Sequence, residues 1–372
     1  MDTRCYYIGF NLVKGIGAVR LKSLIDFFGR IDIAWQAPVD ALNATGLPSS
    51  VIENMISIRE KADLEKILEK SLSSGIQVIT WDDPGYPVRL KTIDQSPPVI
   101  FIRGELSLDD DWAVGIVGTR RMTVYGRQVT EELASFLGAN HITVISGLAR
   151  GVDAAAHQAV LKSGGRTIAV LGCGVDIIYP PENKKLADQI IENGALISDY
   201  VPGTAPESGN FPPRNRIISG LSRAVVVVEA GIESGALITA RYAVEQGRDV
   251  YSVPGSIFAP MSKGTNRLIF DGAAPLLKID DILRSLEIEK VQAYKQARLF
   301  LPADDMEKKI LAELGDEPIH IDDIRAGADI SAAEAISKLT ILELTGHVKN
   351  VGGMNYILIR ENKPDYRILQ ND

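Results

Sequence analysis

The sequence predicts a doubly wound, mostly parallel α/β domain flanked by a small helical domain and a winged helix. Three observations carry that prediction. Runs of five to seven apolar residues alternate with helix-period segments between about residues 75 and 288. Before them, residues 1–72 show helical periodicity broken by glycines. After them, a charged, poorly periodic stretch gives way to three helical segments and a two-strand turn. At 372 residues the chain is long enough for two or three cores at about 150 residues per domain.

In the first 72 residues, "KGIGAVRLKSLIDFFG" sets Gly15-Ile16-Gly17 between apolar-periodic segments. "LNATGLPSSVIENMISI" repeats the theme with Gly46 and the cap candidates Ser49 and Ser50. Two readings stand: a helix-hairpin-helix (SAM-like) unit whose free backbone N–H groups hold a phosphate, or a helical bundle whose glycines only make turns. Residues 75–104 change to short β-rich runs between Pro and Gly.

The alternation then begins. "WAVGIVG", "HITVISG", "RTIAVLG", "ALISDY", "AVVVVEA" and "DVYSVPG" read as buried strands. Segments such as "YGRQVTEELASFLGA", "DAAAHQAVLKSG" and "GALITARYAVEQG" read as crossover helices. The expected architecture is an extended Rossmann-like sheet over 75–288, a linker at 289–303 and a winged-helix-like domain at 304–372. In that last domain the third helix carries Lys338 against Glu334 and Glu343. Groove-reading helices usually present Arg, Lys, Asn or Gln, which favours a protein-contact or structural role.

Composition excludes several classes. Hydrophobic residues make up 45% and charged residues 24%, as in soluble globular proteins. No basic leader with an apolar core opens the sequence, and no run of eighteen apolar residues is present to span a bilayer. Cys5 and Cys173 are the two cysteines, without His at metal-ligand spacing, which argues against a disulfide scaffold or zinc site and for a reducing cytoplasm. The net charge of -8 leaves nucleic acid open, because affinity follows local phosphate contacts.

Ligands of open α/β sheets bind beyond the carboxyl ends of the strands, so the loops there carry the functional argument. "GIVGTRRMTVYG" lacks G-x-G-x-x-G spacing, and the next strand ends in Ser146-Gly147 rather than an acid, so a dinucleotide fits poorly; no Walker loop occurs either. Gly118 suits a tight turn, and Arg120 and Arg121 beside it suit a phosphate. "SGLARGVDAAAH" places Gly147 and Gly151 around Arg150, with Asp153 at a helix start and His157 one turn on. That His is either half of a catalytic pair or, more commonly, packed in the helix interface. The next loop adds Asn183, Lys184 and Lys185, and Cys173 there has no base paired with it.

"GNFPPRNRIISG" puts Phe211 beside Arg214, Asn215 and Arg216, with two prolines stiffening the approach to a helix. An aromatic face next to guanidiniums suits a base stacked beside its phosphates. The remaining loops offer Glu229, Ser234, Gly235 and Thr239, then Lys263, Asn266 and Arg267. Acids Asp153, Asp176, Glu182, Glu229 and Glu233 share this edge, so a selective pocket is expected rather than a uniformly basic face.

The ordered motifs "GIVGTRR", "VISGLARGVDAAAHQAVL", "TIAVLGCGVDIIYPPENKKL", "FPPRNRIISGLSRAVVVVEA", "SGALITARYAVEQGRDVYSVPGS" and "GTNRLIFDGA" resemble the DNA-processing protein A (DprA/Smf) family of bacteria over residues 75–280. The resemblance implies a homodimeric, non-catalytic single-stranded DNA-binding protein without a cofactor. In natural transformation such a protein protects incoming strands and helps load the RecA recombinase. It also implies DNA contacts at Gly118, Thr119 and Arg120, at Ser146, Gly147, Arg150 and Gly151, and at Phe211, Arg214, Asn215 and Arg216. The chain departs from some members at Pro181, where they carry a DNA-binding Lys; Lys184 or Lys185 is the substitute. Arg121, Asn183, Ser234, Gly235 and Asn266 complete the expected set. The family's dimer contact falls near "NRLIFDGAAPLL", which nominates Leu268, Ile269 and Leu276, with core packing as the alternative.

Two other readings differ in class. A nucleotide or sugar-phosphate hydrolase of the lysine-decarboxylase-like phosphoribohydrolase group would carry P-G-G-x-G-T followed by a catalytic Glu, where this chain reads "EAGIESGALITAR". A scaffold would recruit partners through its terminal domains and leave the sheet without a ligand.

Overall fold

The structure, a computed structural model, describes residues 1–285, 305–315, 318–344 and 348–358. The expected linker at 289–303 and the last residues, 359–372, lie outside the described residues. The chain divides into two compact units, Met1–Ile282 and Leu283–Asp372.

Six helices open the first unit: α1 (Thr3–Leu12), α2 (Ala18–Phe28), α3 (Ile31–Gln36), α4 (Val39–Ala44), α5 (Ser49–Lys61) and α6 (Leu64–Ser73). Asp2 and Asp63 cap α1 and α6 by accepting from the backbone N–H of Arg4 and Lys66. Gly15, at φ +100°, makes the turn between α1 and α2, a conformation that L side chains rarely adopt. Pro48 is the N-cap of α5, so Ser49 and Ser50 stand in its first turn rather than capping it. The boundary expected at residue 72 is not a break between compact units. Tyr7, Phe10, Trp35 and Met55 share one apolar core with Val78, Val99, Phe101 and Val201, and helices this short need such a surface to bury their apolar faces.

The strands follow in order with their helices: β1 (Gln77–Thr80), α7 (Val88–Lys91), β2 (Val99–Gly104), β3 (Ala113–Val117), α8 (Val124–Ala139), β4 (Thr143–Ser146), α9 (Val152–Lys162), β5 (Thr167–Val170), α10 (Lys184–Glu192), β6 (Gly194–Ser198), α11 (Phe211–Leu221), β7 (Ala224–Val227), α12 (Gly235–Glu245), β8 (Asp249–Ser252), α13 (Lys263–Phe270), β9 (Ala274–Pro275) and α14 (Asp281–Ser285). They form one nine-stranded sheet in the order β1-β2-β6-β5-β4-β3-β7-β8-β9. β1 and β2 pair antiparallel, as do β2 and β6; all other pairs are parallel. Register sets Val114 opposite Val144 on one side and Ile116 opposite Val226 on the other. Every residue of β3 to β7 is buried, which is why these strands read as continuous apolar runs. The doubly wound, mostly parallel sheet is as expected.

In the second unit, helices Asp305–Glu313, Ile321–Ala328 and Ala332–Leu344 pack Ile310, Ile324, Leu339 and Leu342 against Val348. A three-stranded sheet runs β10 (Ile319–His320), β12 (Asn355–Leu358), β11 (Val348–Gly352). The expected turn falls at Gly352 and Gly353, both at positive φ, while the two-residue strand β10 was too short to leave a sequence period. Glu334 accepts from the backbone N–H and hydroxyl of Ser331 at the start of its helix. Glu343 accepts from the N–H of Asn350. Among the described residues no helix is long and apolar enough to cross a membrane.

Candidate functional site

Strand order reverses at β3, which lies between β4 and β7 although β4 follows it directly in sequence and β7 comes four strands after it. Such a switch point leaves a crevice beyond the carboxyl ends of the strands. A cleft of about 590 Å³ opens there, walled by Gly118–Arg121 after β3, Tyr179 after β5, the first turn of α11, and Gly231–Gly235 after β7.

The wall after β3 is held from two sides. Thr119 N–H donates to the carbonyl of Glu229 at 2.8 Å, and Val152 N–H donates to the carbonyl of Thr119 at 3.2 Å. A Cβ at Gly118 would stand 2.6 Å from Val152 Cγ2, and one at Gly151 would overlap the Thr119 carbonyl. These glycines therefore let two loops close on each other, a demand internal to the protein. The Glu229 carboxylate takes the N–H and hydroxyl of Thr123 at 2.8 and 2.6 Å, and Thr123 caps α8. This places the loop so that Arg120 and Arg121 project, exposed, at the cleft.

The floor is Arg214, only 4% exposed. Its Nη1 donates to the carbonyl of Gly147 at 2.9 Å, and its Nε is buried with no partner among the described residues. A Cβ at Gly147 would press on both Arg214 Nη2 and Asp153 Oδ2, so the glycine makes room for the pair. Burial pulls the Arg214 guanidinium below its ordinary pKa, and the Asp153 carboxylate opposes that. Burial likewise raises the Asp153 carboxyl against the pull of Arg214. A buried guanidinium lining the cleft favours an anion there.

Phe211 stands close to both Arg120 and Arg214. The guanidinium carbons of Arg120 and Arg214 lie 5.7 and 5.9 Å from its ring centroid, and the Tyr179 ring lies at 5.7 Å, inclined by 36°. Gly172 leaves space for the ring, since a Cβ there would come within 2.9 Å of Phe211 Cδ1. Phe211 and the two prolines are the first turn of α11 itself rather than a stiff approach to it, with the prolines where their missing N–H groups go unneeded.

Several expected residues do other work. Arg216 faces inward: Nη2 meets Asp199 Oδ2 at 2.7 Å, Nε donates to the Gln95 carbonyl at 2.9 Å, and Nη1 to the Pro213 carbonyl at 2.8 Å. One helical step of two residues turns it away from the face that Arg214 presents. The hydroxyl of Ser146 is fully buried on the carbonyl of Ile116. Asn183, 8% exposed, donates to the carbonyl of Leu148. Asn266 pairs with both backbone groups of Gly255. These three side chains hold loops.

Arg150 is exposed and its Nε meets Glu182. Lys184 and Lys185 are exposed at the start of α10 and do not line the cleft. Asn215 donates to the carbonyl of Gly235 at 3.3 Å, tying α11 to α12, and Ser234 caps α12. Thr239 and Glu233 also border the cleft. His157 is packed, its Nδ1 2.7 Å from Thr167 Oγ1, and Cys173 is buried. Leu276, 6% exposed, packs within the chain's own interior, and Leu268 and Ile269 are half-buried. Phe270 and Leu277, 80% and 72% exposed, are the apolar side chains that this segment turns outward. Sequence reasoning missed Tyr179 as a cleft residue and Glu229 as the clasp of the Arg120 loop; an aromatic before two prolines in a strand-end loop was the available signal for the first.

An open sheet with a switch-point cleft, floored by a buried guanidinium and edged by an aromatic close to two cations, defines a doubly wound α/β protein with an appended winged helix. The chain belongs to the DNA recombination-mediator protein A family, whose profile matches residues 77–287; the DprA winged-helix profile matches residues 296–354. It is 38% identical to Protein Smf of Synechocystis over 390 aligned positions, covering 95% of this chain and 98% of that one. It is 42% identical to DNA processing protein DprA of Bacillus subtilis, covering 62% and 77%. Among solved structures, DNA processing protein A of Streptococcus pneumoniae aligns with a TM-score of 0.65 at 33% identity, covering 76% of this chain and 98% of that one. That of Helicobacter pylori, described for its single-stranded DNA binding mode, aligns with a TM-score of 0.52 at 32% identity, covering 57% and 97%.

Proposed function

We propose that this chain is a non-catalytic single-stranded DNA-binding protein of natural transformation and recombination, which protects incoming strands and helps load RecA as a homodimer. The observation that carries the reading is the Arg120–Phe211–Arg214 cluster at the switch-point cleft. Two guanidiniums for phosphates flank an aromatic face for a base, the combination that single-strand binders use. The relative from Helicobacter pylori, with its single-stranded DNA binding mode, supports the same reading. In this reading Thr119, Arg120, Arg121, Phe211, Arg214, Asn215, Ser234 and Gly235 meet the strand, and Arg150 with Lys184 and Lys185 guides its flanks.

The loop after β7, which reads "EAGIESGALITAR" in place of P-G-G-x-G-T followed by a catalytic Glu, supports the non-catalytic reading. The dimer face falls on Phe270 and Leu277, where large apolar side chains stand in water. Electrophoretic mobility with oligothymidine and with duplex of equal length tests the reading. Binding of the single strand is expected to be the tighter; equal affinity for both, or release of base from a nucleoside monophosphate, overturns it. Extension of RecA filaments on coated strands, with and without the protein, tests the loading role.

A further inference from the structure

The amino ends of the central strands, on the far side of the sheet from the cleft, carry arginines that the proposed function does not use. Arg223 immediately precedes β7 and Arg248 immediately precedes β8, while Arg89 comes from α7, which packs on α11. Arg248 Nη2 donates to the carbonyls of Arg89 at 3.1 Å and Gly220 at 3.4 Å. The Arg223 guanidinium lies over the Trp112 ring, 3.4 Å from its centroid, and its Nε donates to the Asp111 carbonyl at 2.9 Å. All three side chains are half-buried.

Among the described residues none of the three forms an ion pair. The Nε atoms of Arg89 and Arg248 are buried without an acceptor. The other Nη groups of Arg223 and Arg248, and the whole guanidinium of Arg89, donate to no protein acceptor among those residues. Burial holds Arg223 and Arg248 below the ordinary guanidinium pKa, and the charge of Arg89 pushes both in the same direction. The Asp111 carboxylate pulls the other way on Arg223. The three act on one another as like charges without an ion pair among the described residues, and guanidiniums so placed suit the oxygens of an anion.

We propose that Arg89, Arg223 and Arg248 form a second oxyanion site, for a phosphate group, at the amino ends of the parallel strands. Phosphate is favoured over carboxylate because three guanidiniums stand at these strand ends, and a carboxylate has two oxygens and one charge to offer them. The group comes either as free phosphate or as a phosphodiester of a nucleic acid. A strand of four or five residues spans about 15 Å, so an occupant here is separate from one in the cleft.

The test uses the full chain, melted in inorganic phosphate and in chloride at equal ionic strength. The expected result is a saturable rise in the midpoint with phosphate that shrinks in Arg89→Gln and Arg223→Gln and persists in Arg120→Ala. The difference between the two salts is read within each variant, so a change in baseline stability does not enter it. Arg89→Lys, which keeps the charge and loses the fork, is expected to retain part of the rise. Oligothymidine binding separates the sources: if strand phosphates occupy the site, Arg89→Gln lowers the slope of log affinity against log salt by about 0.7, and if free phosphate alone binds, that slope is unchanged while the melting effect stands. A phosphate effect that survives Arg89→Gln and Arg223→Gln, or that is absent from the parent chain, overturns the proposal. Neither result bears on whether the cleft binds DNA.

Discussion

Arg216 Nη2 meets Asp199 Oδ2 at 2.7 Å, with each side chain only 12% exposed. Arg214, two residues earlier, turns its guanidinium to the Gly147 carbonyl and the cleft floor. Removing one partner of a buried pair leaves the other charge uncompensated, which costs about 3–5 kcal/mol. Arg216→Ala is therefore expected to lose stability of that order in chemical denaturation. The fraction that remains folded is expected to keep the parent salt slope for single strands; a lower slope would return Arg216 to the DNA contacts.

Arg120 is exposed and makes no ion pair among the described residues. Its replacement by Ala is expected to change stability by no more than about 0.5 kcal/mol. Affinity for oligothymidine should fall, with the salt slope shallower by about 0.7. A salt series of fluorescence anisotropy titrations reads both quantities.

Phe211→Leu keeps an apolar side chain in the first turn of α11 and removes the flat face. A loss of about 1–3 kcal/mol in single-strand affinity is expected, without a change in salt slope, because stacking contributes no charge. Gly172→Ala should reproduce part of that loss from outside the contact set, since its Cβ would displace the Phe211 ring.

Glu229→Ala frees Thr123 and, with it, the loop that carries Arg120. Hydrogen bonds to a charged group contribute about 1.5–3 kcal/mol each way, so both melting temperature and strand affinity are expected to fall. Retention of full affinity would mean that the Arg120 loop holds its shape without this clasp.

His157 is fully buried, and burial lowers its pKa from 6.5 to about 3, with the Arg214 charge acting in the same direction. The folded state thus favours the neutral ring, whereas the unfolded chain takes up a proton below about pH 6.5. Its stabilising contribution is complete above that pH and declines as pH falls toward 3, by at most about 1.4 kcal/mol per pH unit. Denaturation midpoints between pH 7 and 4 should show this slope, and His157→Gln should flatten it.

The sequence by itself determined the order of strands and helices, the parallel sheet and the winged helix. Buried parallel strands must be apolar on both faces, and β3 to β7 write that requirement directly as unbroken apolar runs. It also determined which loops meet beyond the strand ends, because alternation of strand and helix fixes the side on which each loop emerges. Short contacts across many residues decided the rest. Whether Arg214 or Arg216 faces the cleft depends on the phase of α11 and on Asp199. Whether Gly118 serves a ligand or Val152 depends on how two loops close, and whether the N-terminal helices stand apart depends on the apolar face they share with β1 and β2. None of these leaves a period in the chain, since each is a meeting of residues far apart in sequence, and only the packed tertiary structure brings them within bonding distance.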